Sequence, residues 1–277
     1  MDTAIDDRKR MQSNQQGWNR RAVAHLDSTY YDLDSFRAGK SSLRSLELGV
    51  VGDVSGKDFL HLQCHIGLNA ISWARRGANV TAVDFADEAL KIGGELAKGL
   101  NTDINFVHAN VFDLPEVLEG SFDIVYTDYG VLHLLPDLSA WAKVVAHFLK
   151  PGGVFHVVEI HPILAAIEEV GNGELRVRPE AIPSGPLEDE VTATYGDGYD
   201  DVQHIDPYKQ YSWLWSIPTV MNALIEAGLR IETFTEVPVD CRQRFSNMVR
   251  DENDEGLWRM PGDPIPLSWT CSARKPE

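Results

Sequence analysis

From Asp58 onward, apolar residues follow two alternating rhythms, short continuous runs and a spacing of three to four positions. The runs "DFLHL", "NVTAVD", "INFVH", "FDIVYT" and "VFHVVEI" read as strands of a parallel sheet covered on both faces, because such strands have no solvent side to make polar. Between the first two, "IGLNAISWARRGA" places Ile66, Ala70, Ile71 and Ala74 on one helical side, and Gly77 supplies the stop. Strand, helix and strand follow within roughly thirty residues, as a βαβ unit requires. Later, "LSAWAKVVAHFLKPGG" sets Leu138, Trp141, Val144, Val145 and Phe148 at helical spacing before a Pro-Gly-Gly turn breaks it. "SIPTVMNALIEAGL" repeats the pattern with Val220, Met221, Leu224 and Ile225, capped by Gly228. "RIETFTEV" and "PLSWTCSA" read as a closing pair of strands, and the whole predicts an α/β fold.

Two regions break the rhythm. Residues 1–50 read as helical and polar, with Trp18, Tyr30 and Tyr31 embedded, and residues 162–212 are rich in Gly, Pro, Asp and Tyr. Long irregular segments in compact domains are more often lids than filler. The expected organisation is therefore an N-terminal helical lid region over 1–50, a core made of 51–161 and 213–277, and a lid insertion over 162–212.

Charge narrows the partners. A formal net charge of -17, from 42 acidic against 25 basic residues, repels a phosphate backbone, so nucleic acid is not an expected partner. The one tight basic run, Arg8-Lys9-Arg10, reads as a solvated helix face. Cys64, Cys241 and Cys271 form an odd set without metal or disulfide spacing, the usage of a reduced, cytoplasmic protein. No apolar stretch has the length of a membrane span, and the N-terminus lacks a basic segment followed by an apolar core, so a soluble protein without a membrane partner is expected. No feature of the sequence gives the oligomeric state.

Ligands of an open parallel sheet bind beyond the carboxyl ends of the strands, where the first turn meets the next helix. In this chain that place is held by "LHLQCHIGLNA", and Asp84 ends the second strand about twenty residues on, placed to accept both hydroxyls of a ribose. This half-site fits a dinucleotide or an adenosyl ligand. The absence of G-x-G-x-x-G argues against the first, because its second glycine clears room for a pyrophosphate and His65 would obstruct that approach. A ligand without phosphates tolerates side chains in the loop.

"FLHLQCHIG", "VTAVDFADEAL", "INFVHANVFDLPE", "FDIVYTDYGVLHLLPDL" and "LKPGGVFHVVE" resemble, in that order and spacing, the successive motifs of class I S-adenosylmethionine-dependent methyltransferases. The resemblance covers residues 45–165 well and extends more weakly through "ALIEAGL" to "PLSWTCSARKP", which is similar to the family's antiparallel closing strand. It implies a Rossmann-like fold with a mostly parallel seven-stranded sheet and a lid, and S-adenosyl-L-methionine as cofactor. The sequence departs from the family's commonest loop, an acid followed by alternating glycines. His61 replaces the acid, Gln63 and His65 replace two glycines, and Gly67 remains, in a pattern similar to a bacterial small-molecule subgroup with L-Q-C-H-x-G. The resemblance further implies that Gln63, Cys64, His65 and Gly67 wrap the methionine part of the cofactor, Asp84 takes the ribose and Phe85 packs on the adenine. Asn110 and the backbone of Val111 would meet the adenine edge, while Asp128 and Tyr129 would face both cofactor and acceptor. His61 itself reads as a hydrogen-bonded core histidine. No metal is expected, since His61, Cys64 and His65 lack a fourth ligand.

Methyl transfer from a sulfonium needs an aligned, desolvated acceptor, with a general base optional. His161 and His133 follow the fifth and fourth strands at the correct sheet edge and are the candidate bases. Glu159 could equally be a base or attract a cationic acceptor. Trp18, Tyr30, Tyr195, Tyr199, Tyr208 and Tyr211, interleaved with Gly and Asp in the presumed lid segments, are the candidate walls of an acceptor pocket. The leading expectation is an enzyme that methylates an oxygen or nitrogen of a small molecule. The alternatives are a nicotinamide-dependent oxidoreductase and a methyltransferase-like protein that binds the cofactor without turnover.

Overall fold

The computed structural model describes residues 2–171, 174–178 and 185–277, and in it the two rhythms become one layered α/β unit. A long helix, α1 (Asp2–Ala24), comes first. The alternating part follows as β1 (Asp58–Leu62), α2 (Leu68–Arg75), β2 (Asn79–Asp84), α3 (Asp87–Gly99), β3 (Asn105–His108), β4 (Phe122–Asp128), α4 (Leu138–Phe148) and β5 (Leu149–Ile160). A hairpin of β6 (Leu187–Tyr195) and β7 (Val202–Ser212) precedes α5 (Ile217–Glu226), β8 (Arg230–Val237) and β9 (Ser268–Arg274). Spatially the sheet runs β8-β9-β5-β4-β1-β2-β3, with β9 antiparallel to both neighbours and β1 to β5 parallel. This is the expected mostly parallel seven-stranded sheet with an antiparallel closing strand. Chain order reverses between β1 and β4, which opens a crevice at their carboxyl ends.

Alternation along the strands divides the core into two faces. Leu60, Leu62 and Val125 pack with Trp141, Val145 and Phe148 of α4 and Leu224 of α5 on one side. Phe59, Ile124 and Tyr126 pack with Ala70 and Trp73 of α2 on the other. Each such side chain taken wholly out of water contributes roughly 1.5–3 kcal/mol. All five apolar residues read from α4 are buried. In α5 the buried face is Val220, Ala223 and Leu224, while Ile225 is exposed, because the helix covers the sheet edge with a narrower stripe than its hydrophobicity allows.

The region from 162 to 212 is less irregular than its composition suggests, since β6 and β7 pair along most of their length. The hairpin docks on α1. Asn14, fully buried, donates from Nδ2 to the Tyr211 carbonyl and accepts the Tyr211 N–H, both at 2.8 Å. Gly17 makes the close approach possible, for a Cβ there would stand 1.9 Å from the Tyr208 ring. From the same helix, Gln15 Nε2 reaches the Phe85 carbonyl at 2.6 Å and Asn19 Nδ2 reaches Asp87 at 2.7 Å. The helix therefore bridges the rim of the sheet to the hairpin and roofs the crevice. A small three-stranded sheet, Val239–Asp240, Val249–Arg250 and Trp258–Arg259, lies between β8 and β9 in the chain. Nothing in the periodicity of that stretch announces it. No helix among the described residues is long and apolar enough to cross a membrane.

Candidate active site

A cavity of about 630 Å3 opens at the carboxyl ends of β1, β2, β3 and β4. Gln63, Cys64, His65, Asp84, Phe85, Asn110, Val111, Asp128 and Tyr129 all line it, although they come from four separate turns. Gly67 lies beneath the wall. Its φ of +73° and a would-be Cβ contact of 2.8 Å to Phe106 explain why this position is glycine.

The loop keeps a glycine-like backbone without glycines. Gln63 and His65 have φ of +58° and +52°, so residues 63, 65 and 67 alternate through the left-handed region where a glycine would be unstrained. Each non-glycine residue there costs about 1–2 kcal/mol. Two side chains are thus held in the wall at the expense of backbone strain. The Gln63 Nε2 donates to the Val131 carbonyl at 3.4 Å, and its Oε1 is buried without a protein partner. The His65 ring turns toward α1, with Nε2 2.8 Å from His25 Nδ1 and Nδ1 left buried and unpartnered. Burial pushes His65 down to about 3 and His25 down to about 2, so both rings are neutral and share one proton between facing nitrogens. His25 continues to Thr194 Oγ1 at 2.7 Å, tying the loop to β6.

Asp84 closes the loop, accepting from His65 N–H and from Ala86 N–H, both at 2.8 Å, and burial raises its carboxyl above the ordinary value despite them. Its remaining lone pairs are free for a ligand. Asp128 behaves differently. Burial alone would raise it, but His61 Nε2 at 3.3 Å, Asn69 Nδ2 at 2.5 Å and the Tyr126 hydroxyl at 2.9 Å hold it below the usual carboxylate range. It remains a fixed negative charge in the wall. His61 is the hydrogen-bonded core histidine its alternation suggests, although one edge reaches the cavity. Asn110 Oδ1 accepts from Phe112 N–H at 3.1 Å, a turn contact that leaves its amide N–H groups and one lone pair for another partner.

A second cavity, of about 700 Å3, adjoins the first, and the two share Trp18, Tyr30, Tyr129 and Tyr195. Tyr199 stands at its edge, half-exposed. Tyr208 and Tyr211 line neither cavity. The former fills the space over Gly17 and the latter pairs through its backbone with Asn14, so both hold the roof together. Trp213 lines the second cavity, and Trp215 anchors its indole N–H on the Leu135 carbonyl at 2.9 Å.

His133, Glu159 and His161 all line the second cavity, but their chemistry differs. Glu159 is buried at the end of β5 and accepts from four backbone N–H groups, those of Gly130, Val131, Leu132 and Ile160. Burial raises its carboxyl, while those four donors oppose the rise. It acts as the keystone of the turn after β4, which carries Tyr129 at φ +34°. His161 is likewise committed, with Nδ1 accepting from Ile163 N–H at 3.1 Å and Nε2 donating to Glu236 at 3.0 Å. The His133 ring makes no hydrogen bond or ion pair among the described residues. Burial and the nearby charges of Arg21, Arg244 and Arg242 pull it down to about 4, which leaves it neutral at pH 7. The residues that sequence reasoning missed are chiefly these arginines, with His25 and Thr194. Arg21 lies inside a stretch noted only for its tryptophan, and Arg242 and Arg244 inside an unremarked loop.

Residues 59–153 match the family described as methyltransferase domain. Over 153 residues the chain is 31% identical to a ubiquinone biosynthesis O-methyltransferase of Xanthomonas oryzae pv. oryzae, an alignment covering 53% of this chain and 64% of that protein. The chain thus spans less than two thirds of the curated relatives it matches. Among solved structures, the DhpI–SAH complex superposes with a TM-score of 0.57 at 16% identity, over 96% of this chain and 97% of that one. The glycopeptide N-methyltransferase MtfA complexed with (S)-adenosyl-L-methionine superposes with a TM-score of 0.53 at 15% identity, over 83% and 92%. Residues 59–153 thus resemble a methyltransferase domain, and the described residues have the Rossmann-like class I methyltransferase fold.

Proposed function

We propose that this protein is an enzyme that transfers a methyl group from S-adenosyl-L-methionine to an oxygen or nitrogen of a small-molecule acceptor. The observation that carries the reading is the convergence of nine motif residues, from four turns, on one cavity at the switch point of the sheet. When bound, the cofactor supplies an activated methyl group that a nucleophile displaces in line from its sulfonium.

The residues present suit that ligand. Asp84 at the rim offers lone pairs to ribose hydroxyls, and Phe85 offers a ring to the adenine beside Asn110 and Val111. The orphaned Gln63 Oε1 and the ionised Asp128 supply an acceptor and a negative charge for the cofactor's ammonium group. A nicotinamide dinucleotide fits less well, because Gln63 and His65 stand where its pyrophosphate needs bare backbone.

The acceptor enters through the second cavity and meets the methyl group at the wall of Trp18, Tyr30, Tyr129 and Tyr195, which excludes water from the reacting atoms. With Glu159 and His161 committed to protein partners, His133 is the group placed to take a proton from the acceptor. Its depressed basicity suits an acceptor that arrives ionised or neutral and already nucleophilic.

Calorimetric titration with S-adenosylmethionine and its demethylated product tests the reading. Both should bind, and Asp84→Ala should weaken both by at least about tenfold, or about 1.4 kcal/mol. Absence of binding to the folded wild type overturns it. Tight binding with no turnover on any acceptor would instead identify a non-catalytic cofactor-binding protein.

A further inference from the structure

Arginines crowd the second cavity, and two of them form no ion pair among the described residues. Arg21, near the end of α1, lies 4.9 Å from the Trp18 ring and 5.8 Å from that of Tyr208. Its Nε is fully buried and unpartnered. Arg242 lies 4.6 Å over the Tyr195 ring. Neither guanidinium forms an ion pair within 4.0 Å among the described residues. The neighbouring arginines are conventional by comparison: Arg244 is clamped by the fully buried Asp240, and Arg44 stands 3.6 Å from the buried Glu47.

Unpaired cations are unexpected in this chain, where 42 acids outnumber 25 bases and a half-buried charge is ordinarily paired. The nearby acids form no ion pair with them: Glu159 is held by four backbone N–H groups, Asp201 accepts from the Thr29 hydroxyl, and Asp240, whose charge also reaches Arg242, is clamped by Arg244. Trp18 and Tyr195, the rings against which these two guanidinium groups rest, belong to the wall shared with the first cavity. Positive charge therefore flanks the passage where cofactor and acceptor would meet. Guanidinium groups present forks of N–H donors that match a carboxylate, and in a water-poor cavity such charge-assisted bonds are among the strongest available.

We propose that the second cavity recognises an acceptor bearing a carboxylate, held by Arg21 and Arg242. This rests on the reading of that cavity as the acceptor site. Glu159 does not make the cavity attractive to a cation, because its charge is already satisfied by the backbone. The carboxylate anchors the molecule, and the aromatic wall takes its apolar body, so a neutral or cationic molecule of the same shape loses most of its binding.

The test uses 3-(4-hydroxyphenyl)propionate and its uncharged amide, which differ in the anionic group alone. Each is titrated into the 277-residue protein saturated with S-adenosylhomocysteine, and the fluorescence of the tryptophans lining the cavity is followed. The acid should bind at least tenfold more tightly than the amide. Arg21→Gln and Arg242→Gln should each erode the preference, and the double variant should abolish it without changing the affinity for S-adenosylhomocysteine. Equal binding of acid and amide by wild type overturns the proposal, as does a preference that the folded double variant retains. The wild-type comparison stands even where a variant does not fold. Failure of S-adenosylhomocysteine to bind would overturn the methyltransferase reading instead, and the same pair of probes on the unloaded protein would still decide the anion preference.

Discussion

The two cavities are built by different logic. The first is built on the ends of β1 to β4 and the turns that follow them, where Gln63, Asp84, Asn110 and Asp128 are fixed by the strand each ends or follows, while Trp18, Tyr30, Arg44 and Arg250 complete its wall from docked segments. The second is assembled from α1, the turn after β4, the end of β5, the hairpin and the small sheet after β8, segments brought together only by docking. Strand ends hold a geometry common to the whole fold, which suits the cofactor site of the proposed function. Docked segments can differ without disturbing the sheet, which suits its acceptor site. Both cavities carry charges of each sign: Asp84 and Asp128 stand at the strand ends of the first, with Arg44 in its wall, and Arg21 and Arg242 stand in the second beside Glu159 and Asp201.

The comparison breaks most visibly at Asp240. Asp240→Asn strips the buried partner from Arg244 and should cost about 3 kcal/mol in urea unfolding. It should loosen the second cavity while cofactor affinity in the folded protein stays near wild type; an equal loss at both cavities would mean that they form one unit. Next in size, Asp84→Ala should cost the cofactor about 1.4 kcal/mol or more and leave the preference for acid over amide intact, as read by parallel calorimetric and fluorescence titrations. Gln63→Gly sharpens the point within the loop. Relief of the left-handed strain should leave stability unchanged or higher by up to about 1 kcal/mol, while cofactor affinity falls. A drop in both would make Gln63 a structural residue. Smallest of all, Tyr211→Ala should change probe affinity by less than twofold, about 0.4 kcal/mol, because its ring lines neither cavity.

The first cavity was legible because its signals are local. An acid at the end of β2, an asparagine after β3 and an Asp-Tyr pair after β4 sit at fixed offsets from apolar runs, and strand direction carries them to one edge. Even the departures in the loop could be read, since Gln63, His65 and Gly67 keep the alternate spacing that their left-handed backbones require. Aromatic content pointed to Trp18, Tyr30 and Tyr195 at the shared wall, but it equally pointed to Tyr208 and Tyr211, whose partners are Gly17 and Asn14, almost two hundred positions away.

The sequence by itself determined the strands, the helices that cover them and the turn residues beneath the crevice, because burial on both faces and helical amphipathicity are written in residues close together. Only the tertiary structure decided the state of each charged group. Whether Glu159 is a base or a keystone depends on the four N–H groups that reach it, three of them from the turn after β4. Whether an arginine is ion-paired depends on whether an acid arrives from elsewhere, as Asp240 does for Arg244 and, within 4.0 Å among the described residues, none does for Arg242. A side chain's hydrophobicity travels with it along the chain, whereas the availability of its charge or proton is set by neighbours that folding alone supplies.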